Sequence, residues 1–111
     1  MGQRDVRSMG RSRIVPFVEG EHAKDRHERR LRVNLETGRA EVEEWCKPFG
    51  VTLEIKNGGH HWIFRRDTWI AEWWPSSAKL VVGRSYGRGI HAHDWQQVTR
   101  LLASRLKKGA R

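Results

Sequence analysis

Gly58-Gly59-His60-His61-Trp62-Ile63-Phe64-Arg65-Arg66-Asp67-Thr68-Trp69-Ile70-Ala71-Glu72-Trp73-Trp74-Pro75 is the stretch whose reading decides the fold of this chain. Its eighteen residues hold four of the six tryptophans and two of the six histidines. Just before it, Val51, Leu53 and Ile55 alternate with Thr52, Glu54 and Lys56, the period of a half-buried strand. Asn57-Gly58 is a strong hairpin signal, so this strand turns back into His60 to Arg66. The returning strand sets His60, Trp62, Phe64 and Arg66 on one face and His61, Ile63 and Arg65 on the other. Asp67-Thr68 permits a second reversal into Trp69 to Trp74. Pro75-Ser76-Ser77 permits a third, into Lys79-Leu80-Val81-Val82-Gly83. The middle of the chain therefore reads as an antiparallel meander of three or four strands. Trp73 and Trp74, adjacent on one strand, must point to opposite faces, and at least one of them is a candidate for exposure or for a second buried layer.

Working toward the N-terminus, Val42, Trp45, Cys46 and Phe49 fall on one helical stripe within 39–50, which Pro48 and Gly50 close. Before it, Leu31, Val33 and Leu35 alternate with Arg32, Asn34 and Glu36 and read as another half-buried strand, punctuated by Thr37-Gly38. A competing reading pairs 31–35 with 40–44 as a hairpin. Glu19 to Arg30, with His22 and His27, reads as a charged surface helix or loop. Ile14-Val15-Pro16-Phe17-Val18 is a short apolar run that its proline confines to an edge strand or a docked extended segment. Residues 1–13, with Arg4, Arg7, Arg11 and Arg13 among Gly and Ser, read as a mobile basic arm.

Toward the C-terminus, Arg84-Ser85-Tyr86-Gly87-Arg88-Gly89 reads as a loop. Asp94 caps a last helix, with Gln97 three residues on completing a capping box. Trp95, Val98, Leu101, Leu102 and Leu106 form its buried stripe, and Arg100, Arg105, Lys107, Lys108 and Arg111 make its outer face and tail basic. The expected architecture is α+β: an antiparallel three- to four-stranded sheet with helices packed on one face, in the order α-β-β-β-(β)-α. The expected organisation is a basic, partly disordered arm over 1–30, one domain over 31–108 and a tail over 109–111.

With 111 residues, 37% of them hydrophobic, the core is small and its tryptophans carry much of the buried area. Lys and Arg number 22 against 13 acids, a net charge of +9 and a pI near 10.8. That balance points to a polyanionic partner, nucleic acid first. The single cysteine, Cys46, excludes an intramolecular disulfide and lies on an apolar stripe, which reads as core. The start lacks the apolar core of a signal peptide and no apolar run has transmembrane length, so the expected location is the cytoplasm, that of the host if the protein is phage-encoded.

The run from Glu41 to Arg66 resembles the start of HicA-type toxins, small messenger-RNA interferases of double-stranded-RNA-binding-like fold. Gly50, the ten-residue step to His60, the doublet His60-His61 and Ile63-Phe64-Arg65 carry the likeness, which covers about a quarter of the chain. It implies that His60 acts as general base on a ribose 2′-hydroxyl, with His61 or a lysine covering the leaving oxygen. No metal or other cofactor is implied, and an antitoxin would be the partner. The chain departs from the pattern at Gly59, where the family has Ser, in its tryptophan-rich second half, and in its first 34 residues. Trp73-Trp74-Pro75-Ser76-Ser77-Ala78-Lys79-Leu80 is also similar to runs in small phage and plasmid proteins, which implies a mobile-element source.

From the residues themselves the expected function is nucleic-acid binding, RNA before DNA. Trp62, Trp69, Trp73 or Trp74 would stack bases, with Trp69 and Trp73 chosen. Arg65, Arg66, Arg84, Arg88, Lys107 and Lys108 would neutralise phosphates. The runner-up is a metal-independent endoribonuclease using His60 and His61. A third reading is a host-protein partner docked on an exposed tryptophan surface. His91-x-His93 with Asp94 has chelating spacing on a strand but no further ligand signature, and no metal site is expected.

Overall fold

The computed structural model describes residues 12–83 and 89–106. Within them helix α1 spans Ala23–Cys46. Strands β1 (Thr52–Lys56), β2 (His61–Arg66), β3 (Trp69–Trp74), β4 (Lys79–Val82) and β5 (Ile90–His91) follow, and then helix α2 (Trp95–Leu106). The strands form one antiparallel sheet in sequence order β1-β2-β3-β4-β5. The α+β class and the meander are as the alternation implied, with one short edge strand, β5, added.

The turns explain the register. Gly58 and Gly59 both take positive φ (63° and 102°), and the His60 N–H donates to the Asn57 carbonyl at 3.2 Å, so Lys56 comes opposite His61. This is the backbone twist that primed hairpin turns require. Asp67, at φ 53°, starts the two-residue turn that sets Arg66 opposite Trp69 and therefore Trp62 opposite Trp73.

Residues 31–35 are not a strand, and the hairpin with 40–44 does not form. Both segments lie inside α1, which runs unbroken across the domain boundary expected at residue 31. Leu31, Asn34, Leu35, Gly38, Val42, Cys46 and Phe49 follow helical spacing, but two positions of that stripe are a polar residue and a glycine, both buried. Asn34 is buried because it bonds at both ends: Nδ2 donates to the Arg30 and His93 carbonyls (2.8 and 3.1 Å), and Oδ1 accepts the Trp95 N–H at 2.9 Å. Gly38 is buried because the Trp95 ring lies against it. After Cys46 a short 3-10 turn, Lys47–Phe49, leads to Gly50 at φ 69°, and the Val51 N–H returns to the Cys46 carbonyl at 3.1 Å.

One core cluster joins Val42 and Cys46 of α1, Trp62 and Phe64 of β2, Ala71 and Trp73 of β3, Leu80 of β4, and Val98, Leu102 and Leu106 of α2. Trp62 and Trp73 meet edge-on, with centroids 5.1 Å apart, and both are fully buried. Each indole N–H has a carbonyl: Trp62 donates to Gly59 at 3.0 Å and Trp73 to Ala92 at 2.8 Å. Asp94 caps α2 by accepting the Gln97 N–H at 2.8 Å. The Gln97 side chain accepts from the His93 N–H, one residue earlier than in the usual reciprocal box.

The Ile14–Val18 run forms no strand; the chain bends over Arg13 to Val15 and is tied down by side-chain bonds. Ser12 Oγ donates to Asp94 Oδ2 and accepts the Ile14 and Val15 N–H groups, while Arg29 donates to the Pro16 carbonyl at 2.6 Å. Val15 is buried, whereas Phe17 and Val18 are exposed. No helix of the described residues is long and apolar enough to cross a membrane.

Candidate nucleic-acid interface

Alternation along the strands divides the chemistry between two faces of the sheet. Trp62, Phe64, Ala71, Trp73 and Leu80 belong to the core face, so the residues between them belong to the outer face. There one position from each strand falls into a single row. Lys56 of β1 pairs with His61 of β2; His61 stacks on Trp74 of β3; Trp74 pairs with Lys79 of β4; and Lys79 pairs with His91 of β5. Four inter-strand steps make the row about 19 Å long. It is an aromatic ring flanked by two ammonium groups and two imidazoles.

His61 is the most constrained member. Its ring lies 4.6 Å from the Trp74 ring at an interplanar angle of 14°, and its Nε2 is 3.0 Å from Glu72 Oε1. Both partners of that polar contact are largely shielded, with side chains 18% and 10% exposed, so the ring is held in one orientation. The adjoining row contains Glu54, Ile63, Glu72 and Val81. Its carboxylates are already engaged: Glu72 by His61, and Glu54 by Arg65 at 3.0 Å. Ile63 and Val81 are buried although they lie on the outer face, so that face is less open than the alternation suggested.

No protein-family model, curated protein or solved structure matches the chain.

The residues singled out by sequence are dispersed. His60 is exposed in the β1–β2 turn and, among the described residues, no side chain orients it. His61 is on the outer row. Arg65 is on the outer face beside Glu54. Arg66 is turned the other way: its guanidinium donates to the Phe49 carbonyl at 3.0 Å and the Leu106 carbonyl at 3.4 Å, joining β2 to the ends of both helices. That is a structural engagement within the fold. Trp73 is a correction, because a fully buried indole cannot stack on a base. Trp69 is half-buried against the core, and Trp74 alone of the four in the central stretch stands on the outer row. Arg84, Arg88, Lys107 and Lys108 lie outside the described residues.

Lys56, Trp74, Glu72, Lys79 and His91 were not chosen from sequence, although the signal existed. The two-residue turn at Asp67-Thr68 puts Trp73 opposite Trp62, and so sends Trp74 to the face of His61.

Charge is unevenly shared along the chain. Of 22 Lys and Arg, eight lie in residues 1–11, 84–88 and 107–111 with one of the 13 acids, so +7 of the +9 belongs to those segments. Within the described residues most guanidiniums have partners. Around a concavity of about 210 Å³ lined by Val15, Phe17, Arg26, Arg30 and His93, Arg29 is bonded to Glu21 and Pro16, and Arg30 to the Ser76 carbonyl at 2.7 Å. Burial, with Arg30 and His91 adding to it, holds the His93 imidazole below its ordinary pKa. His91 and His93 have ring centroids 6.0 Å apart, and among the described residues no three His, Cys, Asp or Glu side chains converge as metal ligands.

Proposed function

We propose that this protein binds nucleic acid, RNA before DNA, on the outer face of its sheet. The observation that carries the reading is the row Lys56–His61–Trp74–Lys79–His91, which sets a stacking surface between groups able to bond phosphate. A flat aromatic between cations suits unpaired bases, which can be splayed onto a sheet while the backbone tracks the charge. Accessible unpaired bases are characteristic of RNA loops and ends, which is the reason for the order of preference. The cationic segments 1–11, 84–88 and 107–111 supply the long-range attraction.

The test is binding of a labelled single-stranded RNA and the matching DNA across a salt series. Affinity that falls steeply with salt and drops in Lys56→Ala supports the reading. Affinity indifferent to salt overturns it and turns attention to a protein partner, host protein or antitoxin. Phe17 and Val18 are the exposed large hydrophobics among the described residues and would offer such a partner an apolar contact.

RNA cleavage of the HicA kind is the second reading, and the His61–Glu72 contact favours it. A carboxylate that fixes one ring nitrogen is how a general base is oriented for proton abstraction. In this version His60 or His61 removes the 2′-hydroxyl proton, the oxygen attacks the neighbouring phosphorus, and the 5′-oxygen leaves with a proton from the other imidazole. Incubation of RNA in EDTA with wild type, His60→Ala and His61→Ala decides it. Cutting lost in either variant, with binding retained, supports the enzyme, and no cutting by wild type overturns it.

A further inference from the structure

We infer that the concavity at the β4–β5 edge, lined by Ser77, Lys79, Gly89 and His91, is the phosphate subsite for the nucleotide whose base stacks on Trp74. The inference rests on the nucleic-acid reading above and adds to it a defined ligand position. The cavity measures about 280 Å³ and is also bordered by Ala78 and Ile90. Three features make it a receptor for an anion.

The first is the stacking geometry. His61 covers the face of the Trp74 ring turned toward β2, at 4.6 Å. The opposite face is therefore turned toward β4, where Lys79 is the direct cross-strand neighbour. A base laid on that face has its phosphate directed at Lys79 and, one strand further, at His91.

The second is the state of the donors. Lys79 and His91 are exposed, and among the described residues no carboxylate pairs with either, whereas Arg29, Arg65 and Lys47 are each engaged by an acid. The Ser77 hydroxyl is held only by a 3.4 Å bond to the Trp74 carbonyl and is free to turn to a better acceptor.

The third is Gly89. A β-carbon there would stand 2.8 Å from Lys79 Cε and 2.9 Å from Cγ, so the lysine stem lies directly over the glycine. The backbone at Gly89 is not in the left-handed region, so conformation does not call for glycine; the lysine's path does. Gly89 is a positioning residue for the Lys79 ammonium.

The experiment measures polarisation of a fluorescein-labelled 12-nucleotide single-stranded RNA over a salt series, with the full chain. Lys79→Ala is expected to weaken binding roughly tenfold, as for loss of a charge-assisted bond, and to lower the slope of log K against log salt by about one. Gly89→Ala, which deflects a flexible stem without straining the backbone, should reproduce much of that loss and add nothing when combined with Lys79→Ala. Arg39→Ala, on the helix side, should leave both quantities unchanged. If wild type binds and Trp74→Ala weakens binding while Lys79→Ala and His91→Ala match wild type, the subsite is wrong and the outer-face reading survives. If wild type does not bind RNA, both fall. A Gly89→Ala protein with the wild-type slope contradicts the positioning of Lys79.

Discussion

The Trp95 indole lies on the backbone of Gly38 so closely that a β-carbon built at Gly38 would stand 2.3 Å from Trp95 Cδ1. The indole N–H also donates to Thr37 Oγ1 at 3.0 Å, which fixes the ring over that one turn of α1. Gly38→Ala should therefore destabilise the fold by about 1–3 kcal/mol through overpacking. This outcome opposes the gain of about 1 kcal/mol that alanine brings to an open helix position. Urea denaturation measures the sign, and a stabilised variant would show that the contact yields.

Asn34 is the second tie between the helices. Its replacement by alanine leaves the His93 carbonyl and the Trp95 N–H without their bonds in a buried site, a loss of roughly 2–4 kcal/mol. The same denaturation experiment reads it, and an effect below 1 kcal/mol would mean that other groups replace both bonds.

These two residues also show why the first half of α1 was not legible in the sequence. Asparagine and glycine occupy core positions of the helical stripe, so the apolar side chains left nearby, Leu31, Val33 and Leu35, mimic a period of two. Their reasons for being buried lie some sixty residues away at Trp95, and no local pattern encodes that. The sheet was legible because β1 alternates and each reversal after it carries its own turn residues, although β2, β3 and β4 do not alternate in burial. β5 was not, being a two-residue edge. At the site, the face of His61 follows from alternation, whereas it is Trp74 and not Trp73 that reaches the outer face, because the two-residue Asp67-Thr68 turn sets Trp73 opposite Trp62.

Cys46 is buried beside Val42, and burial, aided by the Glu43 charge, pushes its thiol up to about 12. Native protein at pH 8 should resist alkylation by iodoacetamide and react only on unfolding. The folded state keeps this proton above pH 9, where an unfolded thiol loses it, so the contribution to stability falls between about pH 9 and 12. Rapid labelling of native protein would contradict the burial.

His93 titrates in the opposite sense. Its folded pKa is depressed below the ordinary 6.5 by burial first, then by Arg30 and His91, with Asp94 pulling back. The unfolded state then binds the proton more readily, so stability is present above pH 6.5 and is lost as pH falls through the folded value. Between pH 7 and 5 the fall in denaturation midpoint should be shallower in His93→Asn than in wild type. Equal slopes would remove His93 from the acid response.

The most direct test of the outer-face reading is the affinity of single-stranded RNA for wild type and Trp74→Ala, with Trp45→Ala as the control on the helix side. The reading predicts a loss of about 1–3 kcal/mol at Trp74, the worth of one stacked base, with near-native stability and an unchanged salt slope. The control should bind as wild type does. Equal affinity of wild type and Trp74→Ala, or no binding at low salt, would contradict it.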